Sequence, residues 1–223
     1  MRTLSELIFD ENAWTMINEW ISKSETEVQV LKNKRAAGEE ALLQLQITNK
    51  STLGAITLES SGLLIDKGWV RILGSGSQMS QGSILSWNGF TNQGLRNSLE
   101  GGLIIGYDVV GGFFAINNGA FDKTSRNVYY FAPDTLEWEN TEKGYTDFLY
   151  WTLFGDLDKY YRSFRWNGWE HDVKKLTIDE GIMIYPYLWT QQSNDINKCH
   201  KEVGSIREIW ELQNEYLRQL KGE

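Results

Sequence analysis

Hydrophobic and polar positions change their period twice along this chain. At the start, Thr3 and Glu6 have the spacing of a capping box, and Asn12 precedes a run that places Trp14, Ile17 and Ile21 on one helical face. This predicts an amphipathic docking helix capped at Asn12. A second helix is predicted over residues 36–46, AAGEEALLQLQ, where Leu42, Leu45 and strong helix formers outweigh Gly38.

From Gly54 the pattern shortens. AITLE, LLID and WVRIL are brief apolar runs separated by Ser61-Gly62 and Lys67-Gly68, as expected of a three-strand meander. The polar loop GSGSQMSQGS and a short aromatic piece over residues 85–90 come next. Further strands are predicted at residues 103–107, 113–116, 128–131 and 136–138. Pro133 and Asp134 suit the central positions of the turn joining the last two. Gly111 and Gly112 let a strand bend close to its neighbour, and Asn117-Asn118-Gly119 permits a turn with positive φ.

The helical period returns near Tyr145. YTDFLYWTLFGDLDKYY predicts two helices broken near Gly155, and SIREIWELQNEYLRQLKG predicts a last one. That final helix starts at a Ser205/Glu208 capping box, carries a buried stripe of Ile206, Ile209, Trp210, Leu217 and Leu220, and ends at Gly222. Helices, then consecutive strands, then helices describe an α+β fold: an antiparallel sheet of meander and hairpins packed by N- and C-terminal helices. With two prolines, no linker-like tract and no fixed-period repeat, residues 1–223 are expected to form a single domain.

Composition narrows the setting. Glu6, Asp10 and Glu11 interrupt the apolar run a secretory signal needs, and the most apolar stretch, GGLIIGYDVVGGFFAINNGAF, is too glycine-rich for a spanning helix. A lone Cys199 allows no internal disulfide and no cysteine zinc cluster. The expected compartment is the cytoplasm, with no membrane association. A formal charge of −8 argues against nucleic acid as a partner. The charge is uneven: from Asp134 to Asp158 seven carboxylates face Lys143 alone, a balance of −6 that would steer a basic protein.

Motifs for catalysis are absent: no GxSxG elbow, no GxxxxGK[ST] loop and no HExxH pair occurs. The GSGS of Gly74 to Ser77 follows a strand, where a phosphate cradle would lie, but lacks the lysine and third glycine of a nucleotide fingerprint. It reads as an ordinary loop. His171 and His200 have no spaced carboxylate partner, and Cys199 beside His200 is poorly placed for a dyad. Neither a catalytic residue, a cofactor nor a metal is expected.

The chain is therefore expected to be a non-enzymatic protein-binding module, using Asp134, Glu137, Glu139 and Asp147 against a basic partner protein, with a homo-oligomer also compatible. Trp138 should point into the core between Glu137 and Glu139. The rival reading is a carboxylate-based hydrolase at the central sheet, drawing on Asp134, Glu137 and Glu139 with Asp66 or Asp108. Ten aromatics between Tyr145 and Trp169 form the densest cluster, and RSFRWNGWE, with Arg162, Arg165, Trp166 and Trp169, is expected to be partly exposed.

The blocks TLGAITLESSGLLIDKGWVRILGSGS, GYDVVGGFFAINNGAF, VYYFAPDTLEWE and FLYWTLFGDLDKYYRSFRWNGWE resemble the bacterial domain-of-unknown-function family 2625. The resemblance spans most of the chain and implies a bacterial, cytosolic, single-domain protein, but brings no activity, cofactor or catalytic residue. The second half also resembles the SUKH superfamily of immunity proteins: Gly106, Asp108, Gly111 and Gly112, then a strand at Val128 and Tyr129, acidic turn residues and a helix opening at Tyr145. That resemblance implies a small α+β module that neutralises a partner toxin, often through an acidic surface.

Overall fold

A computed structural model describes residues 1–77, 82–90 and 99–222. Part of the loop GSGSQMSQGS, residues 78–81, lies outside the described residues. The elements run α1 (Leu4–Leu7), α2 (Trp14–Lys23), β1 (Val28–Leu31), α3 (Arg35–Leu45), α4 (Thr52–Glu59), β2 (Gly62–Ile65), β3 (Val70–Leu73) and α5 (Ile84–Trp87). They continue with β4 (Gly102–Asp108), β5 (Phe113–Asn117), β6 (Val128–Ala132), β7 (Glu137–Asn140), α6 (Tyr145–Phe154), α7 (Leu157–Tyr160) and α8 (Trp169–Val173). A hairpin, β8 (Glu180–Tyr185) and β9 (His200–Ser205), leads into the final helix, α9 (Ile206–Lys221).

The architecture is the expected α+β arrangement, built on an antiparallel sheet of seven strands in chain order from β1 to β7. One register row, Gln29–Leu64–Arg71–Tyr107–Phe113–Phe131–Trp138, crosses all seven strands on one face. Trp87 of α5 and Trp210 of α9 pack on it: Trp210 lies 4.5 Å from Phe113 and Trp87 5.4 Å from Tyr107. The neighbouring row, Val30–Leu63–Ile72–Gly106–Phe114–Tyr130–Glu139, faces the other way. There Phe148 of α6 meets Phe114 at 4.7 Å and Tyr160 of α7 meets Tyr130 at 5.8 Å. One continuous apolar core fills both sides of the sheet, and Leu7, Leu42 and Leu58 form a small satellite.

Both capping boxes form. The Glu6 carboxylate accepts from the Thr3 backbone N–H at 2.8 Å, and Ser205 Oγ accepts from the Arg207 N–H at 3.2 Å. Asn12 Oδ1 accepts from the Trp14 N–H at 2.9 Å, although Ala13 occupies the cap position itself. The break at Gly155 and the left-handed stop at Gly222, φ 72°, stand as expected.

Four readings need correction. AITLE belongs to helix α4, not to a strand: Ser51 Oγ accepts from the Gly54 N–H at 3.0 Å, and residues 52–58 are buried on every side. A helix enclosed all round shows no amphipathic period, so its apolar run imitates a core strand. The meander gains its third strand from β1, which the sequence reading missed. The β8–β9 hairpin was also missed, because HKEVGS is too polar to announce a strand. Leu220 leaves the buried stripe and is 72% exposed, in the last turn of α9.

Candidate functional site

The acidic residues singled out in the sequence gather mainly at one edge. Strand β7 ends the sheet and, among the described residues, pairs with β6 alone. The chain reaches it through residues 133–136, where the Leu136 N–H returns to the Ala132 carbonyl at 2.9 Å and buried Leu136 adopts φ 57°. Asp134, Glu137 and Glu139 are exposed on this hairpin, while Trp138 is half-buried on the opposite face, 5.3 Å from Phe131. Asp147 is also exposed, but it stands on α6, in the helix's first turn.

Glu139 borders a cavity of about 200 Å³ that the sequence reading did not anticipate. Tyr130, Trp151 and Tyr160 supply aromatic walls. Trp151 and Tyr160 meet edge to face at 4.8 Å. Gly155 makes this possible, since a Cβ there would fall 2.4 Å from the Trp151 ring. Lys143 also lines the cavity, with its ammonium donating to the Thr141 carbonyl at 3.2 Å. Tyr160 is 39% exposed, yet desolvation raises its hydroxyl pKa, and the negative charges of Asp108, Glu139 and Asp134 raise it further. The recess thus sets aromatic walls beside one carboxylate, Glu139, and one ammonium, Lys143. The sequence signal was faint: Trp151 and Tyr160 stand on different helices and meet only because the chain breaks at Gly155.

The other candidates have structural roles. Asp108 is fully buried and accepts from the Val110 and Gly112 N–H groups at 3.0 and 2.8 Å and from the Tyr130 hydroxyl at 2.7 Å. Asp66 is ion-paired with Arg165. These two carboxylates do not open onto the cavity that Glu139 borders. In the GSGS loop, the N–H groups of Gly74, Ser75 and Gly76 are already taken by the carbonyls of Ser61, Ser60 and Ser61. No amide remains in that trio to cradle a phosphate. His171 and His200 are both exposed, on α8 and β9, and Cys199 is a buried free thiol. Among the described residues, no three His, Cys, Asp or Glu side chains form a cluster able to hold a metal. No helix among them is long and apolar enough to cross a membrane.

The segment RSFRWNGWE is partly exposed, as expected. Arg162, Ser163, Asn167, Gly168 and Glu170 are exposed, whereas Trp166 and Trp169 are buried and the Arg165 side chain is 7% exposed. The Arg165 guanidinium sits 4.1 Å from the Trp169 ring centroid and 4.9 Å from that of Trp69, which holds this side chain against the buried indoles.

The fold and site thus define an α+β protein with an aromatic recess, lined by both Glu139 and Lys143, beside the last strand of the sheet. The chain belongs to the family described as protein of unknown function DUF2625, whose profile matches residues 4–209. It is 40% identical over 216 residues to the uncharacterized protein YbfG of Escherichia coli strain K12, covering 96% of each chain. It is 32% identical over 210 residues to an uncharacterized protein of Haemophilus influenzae, covering 92% of this chain and 91% of the relative. No solved structure matches it.

Proposed function

We propose that this chain is a non-enzymatic binding module, acting as one domain, that receives a basic segment of a partner protein at the β7 edge. The observation carrying the reading is the recess in which Glu139 stands beside Tyr130, Trp151 and Tyr160. Aromatic faces attract a guanidinium or ammonium group, and a carboxylate at the rim supplies the counter-charge. Asp134 and Glu137 extend the same field along the hairpin, and the surrounding sequence balance of −6 would speed encounter with a positive surface. Because β7 has a neighbour on one side only, an extended partner segment could also add to its free edge. The resemblance to immunity proteins favours neutralisation of a basic partner as the biological setting.

The test uses hexa-arginine as a probe, titrated into the 15N-labelled chain while the tryptophan indole resonances are followed. Saturable binding that shifts the Trp151 indole and weakens steeply with salt is expected. Glu139→Gln and Trp151→Ala should each weaken it roughly tenfold. Absence of binding, or an affinity in both variants equal to that of the parent chain, would refute the proposal.

A further inference from the structure

On the opposite face of the sheet, the register row that crosses all seven strands contains one formally charged residue, Arg71. It lies between Leu64 and Tyr107 and is 1% exposed. Its Nη1 donates to the backbone carbonyl of Glu180, but its buried Nε–H has no hydrogen-bond partner among the described residues. Burying a guanidinium with a donor unsatisfied is costly, because five N–H groups lose water and each needs an acceptor. Replacing buried charges by well-packed apolar residues is often neutral or stabilising, so the charge at this position invites a reason beyond packing.

Arg71 lines a cavity of about 330 Å³. Gln29 and Leu64 flank it along the row, and Val173, Lys174 and Leu176 line the cavity from α8 and the residues after it. Lys67 lines it from the β2–β3 turn, its ammonium held by Glu170 at 2.8 Å and 5.3 Å from the Trp169 ring centroid. Among the described residues, three cationic side chains, Lys67, Arg71 and Lys174, therefore border the space against one carboxylate, Glu27. In a chain of net charge −8 this is a local reversal of sign. Burial pulls the Arg71 pKa down, opposed by Tyr107, Asp108, Glu180 and Asp179, which is the environment of a cation short of solvation.

We propose that this cavity is a second binding site, separate from the β7 edge, and that it takes a small organic anion by its carboxylate or phosphate group. The oxyanion lies between Lys67 and Lys174 with the buried charge of Arg71 behind them, while Leu64, Val173 and Leu176 hold the apolar part. The cavity is within the range of small-ligand pockets, about 300 to 1,000 Å³.

The experiment titrates inorganic phosphate and, separately, succinate into the full 15N-labelled chain and follows backbone amide shifts. At least one anion should give saturable shifts centred on Leu64, Gly68 and Lys174. Response to phosphate alone assigns a phosphate ligand, to succinate alone a carboxylate ligand, and to both the shared oxyanion chemistry. Lys174→Glu, at an exposed position that should leave folding intact, is expected to weaken binding by roughly tenfold or more. Lys123→Glu makes the same charge change away from the cavity and should leave affinity unchanged. The proposal fails if neither anion saturates at tens of millimolar, if Lys174→Glu binds like the parent chain, or if both variants lose affinity equally.

Discussion

The Tyr130 hydroxyl, on β6, donates a 2.7 Å hydrogen bond to Oδ2 of Asp108, on β4, reaching across the whole width of β5. Gly112 permits this, because a Cβ there would fall 2.2 Å from Asp108 Oδ2 and 2.3 Å from the Tyr130 oxygen. Burial raises the Asp108 pKa above its ordinary 3.8, while the bonds from Tyr130, Gly112 and Val110 and the charge of Arg71 pull it back. The folded chain thus holds this proton more tightly than the unfolded chain. The stabilisation is fully present below pH 3.8 and is lost as pH rises through the folded-state pKa.

Replacing Asp108 by Asn keeps the acceptor for Val110 and Gly112 but removes the titration. Glu180, whose pKa is lowered by its Thr177 hydrogen bonds, has the opposite pH dependence in both proteins and cancels in the comparison. The stability of Asp108→Asn relative to the parent chain should therefore rise between about pH 4 and pH 7. Urea unfolding at stepped pH measures it. A flat or falling difference would show that burial does not control this carboxyl.

Arg165 ties the segment after α7 to the β2–β3 turn. It pairs with Asp66 and Asp158 and sits near the rings of Trp69, Tyr161 and Trp169. Asp66 is 16% exposed, so removing its partner strands a nearly buried charge. Arg165→Met should cost about 3 kcal/mol. Arg165→Met combined with Asp66→Asn should recover part of that loss. Denaturant midpoints of the two variants decide it, and a double variant no better than the single would exclude the ion pair as the cause.

Gly38 is a position where helix propensity gives the wrong sign. Alanine favours a helix by about 1 kcal/mol over glycine. Here a Cβ would fall 2.4 Å from the Leu58 carbonyl oxygen and 2.9 Å from its Cα, where α3 crosses α4. Backbone atoms yield little, and overpacking costs about 1 to 3 kcal/mol. Gly38→Ala should therefore lower the thermal midpoint, and a higher midpoint would mean the crossing relaxes freely.

What the sequence disclosed follows from how local each signal is. The strands from β4 to β7 were legible because Gly111-Gly112 and Pro133-Asp134 punctuate their apolar runs. The ends of α9 were legible because Ser205, Glu208 and Gly222 act within one turn. Helix α4 was hidden by uniform burial, and β9 by its polar residues. The aromatic recess was invisible because Tyr130, Trp151 and Tyr160 come from three elements. Arg71 did leave a trace, as a lone charge inside the apolar run WVRIL, but only the register shows which face of the sheet it shares and which cavity it lines.

The acidic edge makes a prediction that separates its four residues. Asp134, Glu137 and Glu139 share one exposed hairpin, whereas Asp147 lies in the first turn of α6. A carboxylate in that turn favours the helix by about 0.3 to 1 kcal/mol, so Asp147→Asn should lower stability while barely changing binding. Glu137→Gln and Asp134→Asn should slow association with hexa-arginine at low salt, each by an amount equivalent to about 1 kcal/mol or less. Glu139→Gln should also speed dissociation, because Glu139 borders the aromatic recess as well as the rim. Stopped-flow association and dissociation rates at two ionic strengths separate these outcomes. Association rates that ignore both the substitutions and the salt would mean that the β7 edge does not meet the cationic probe.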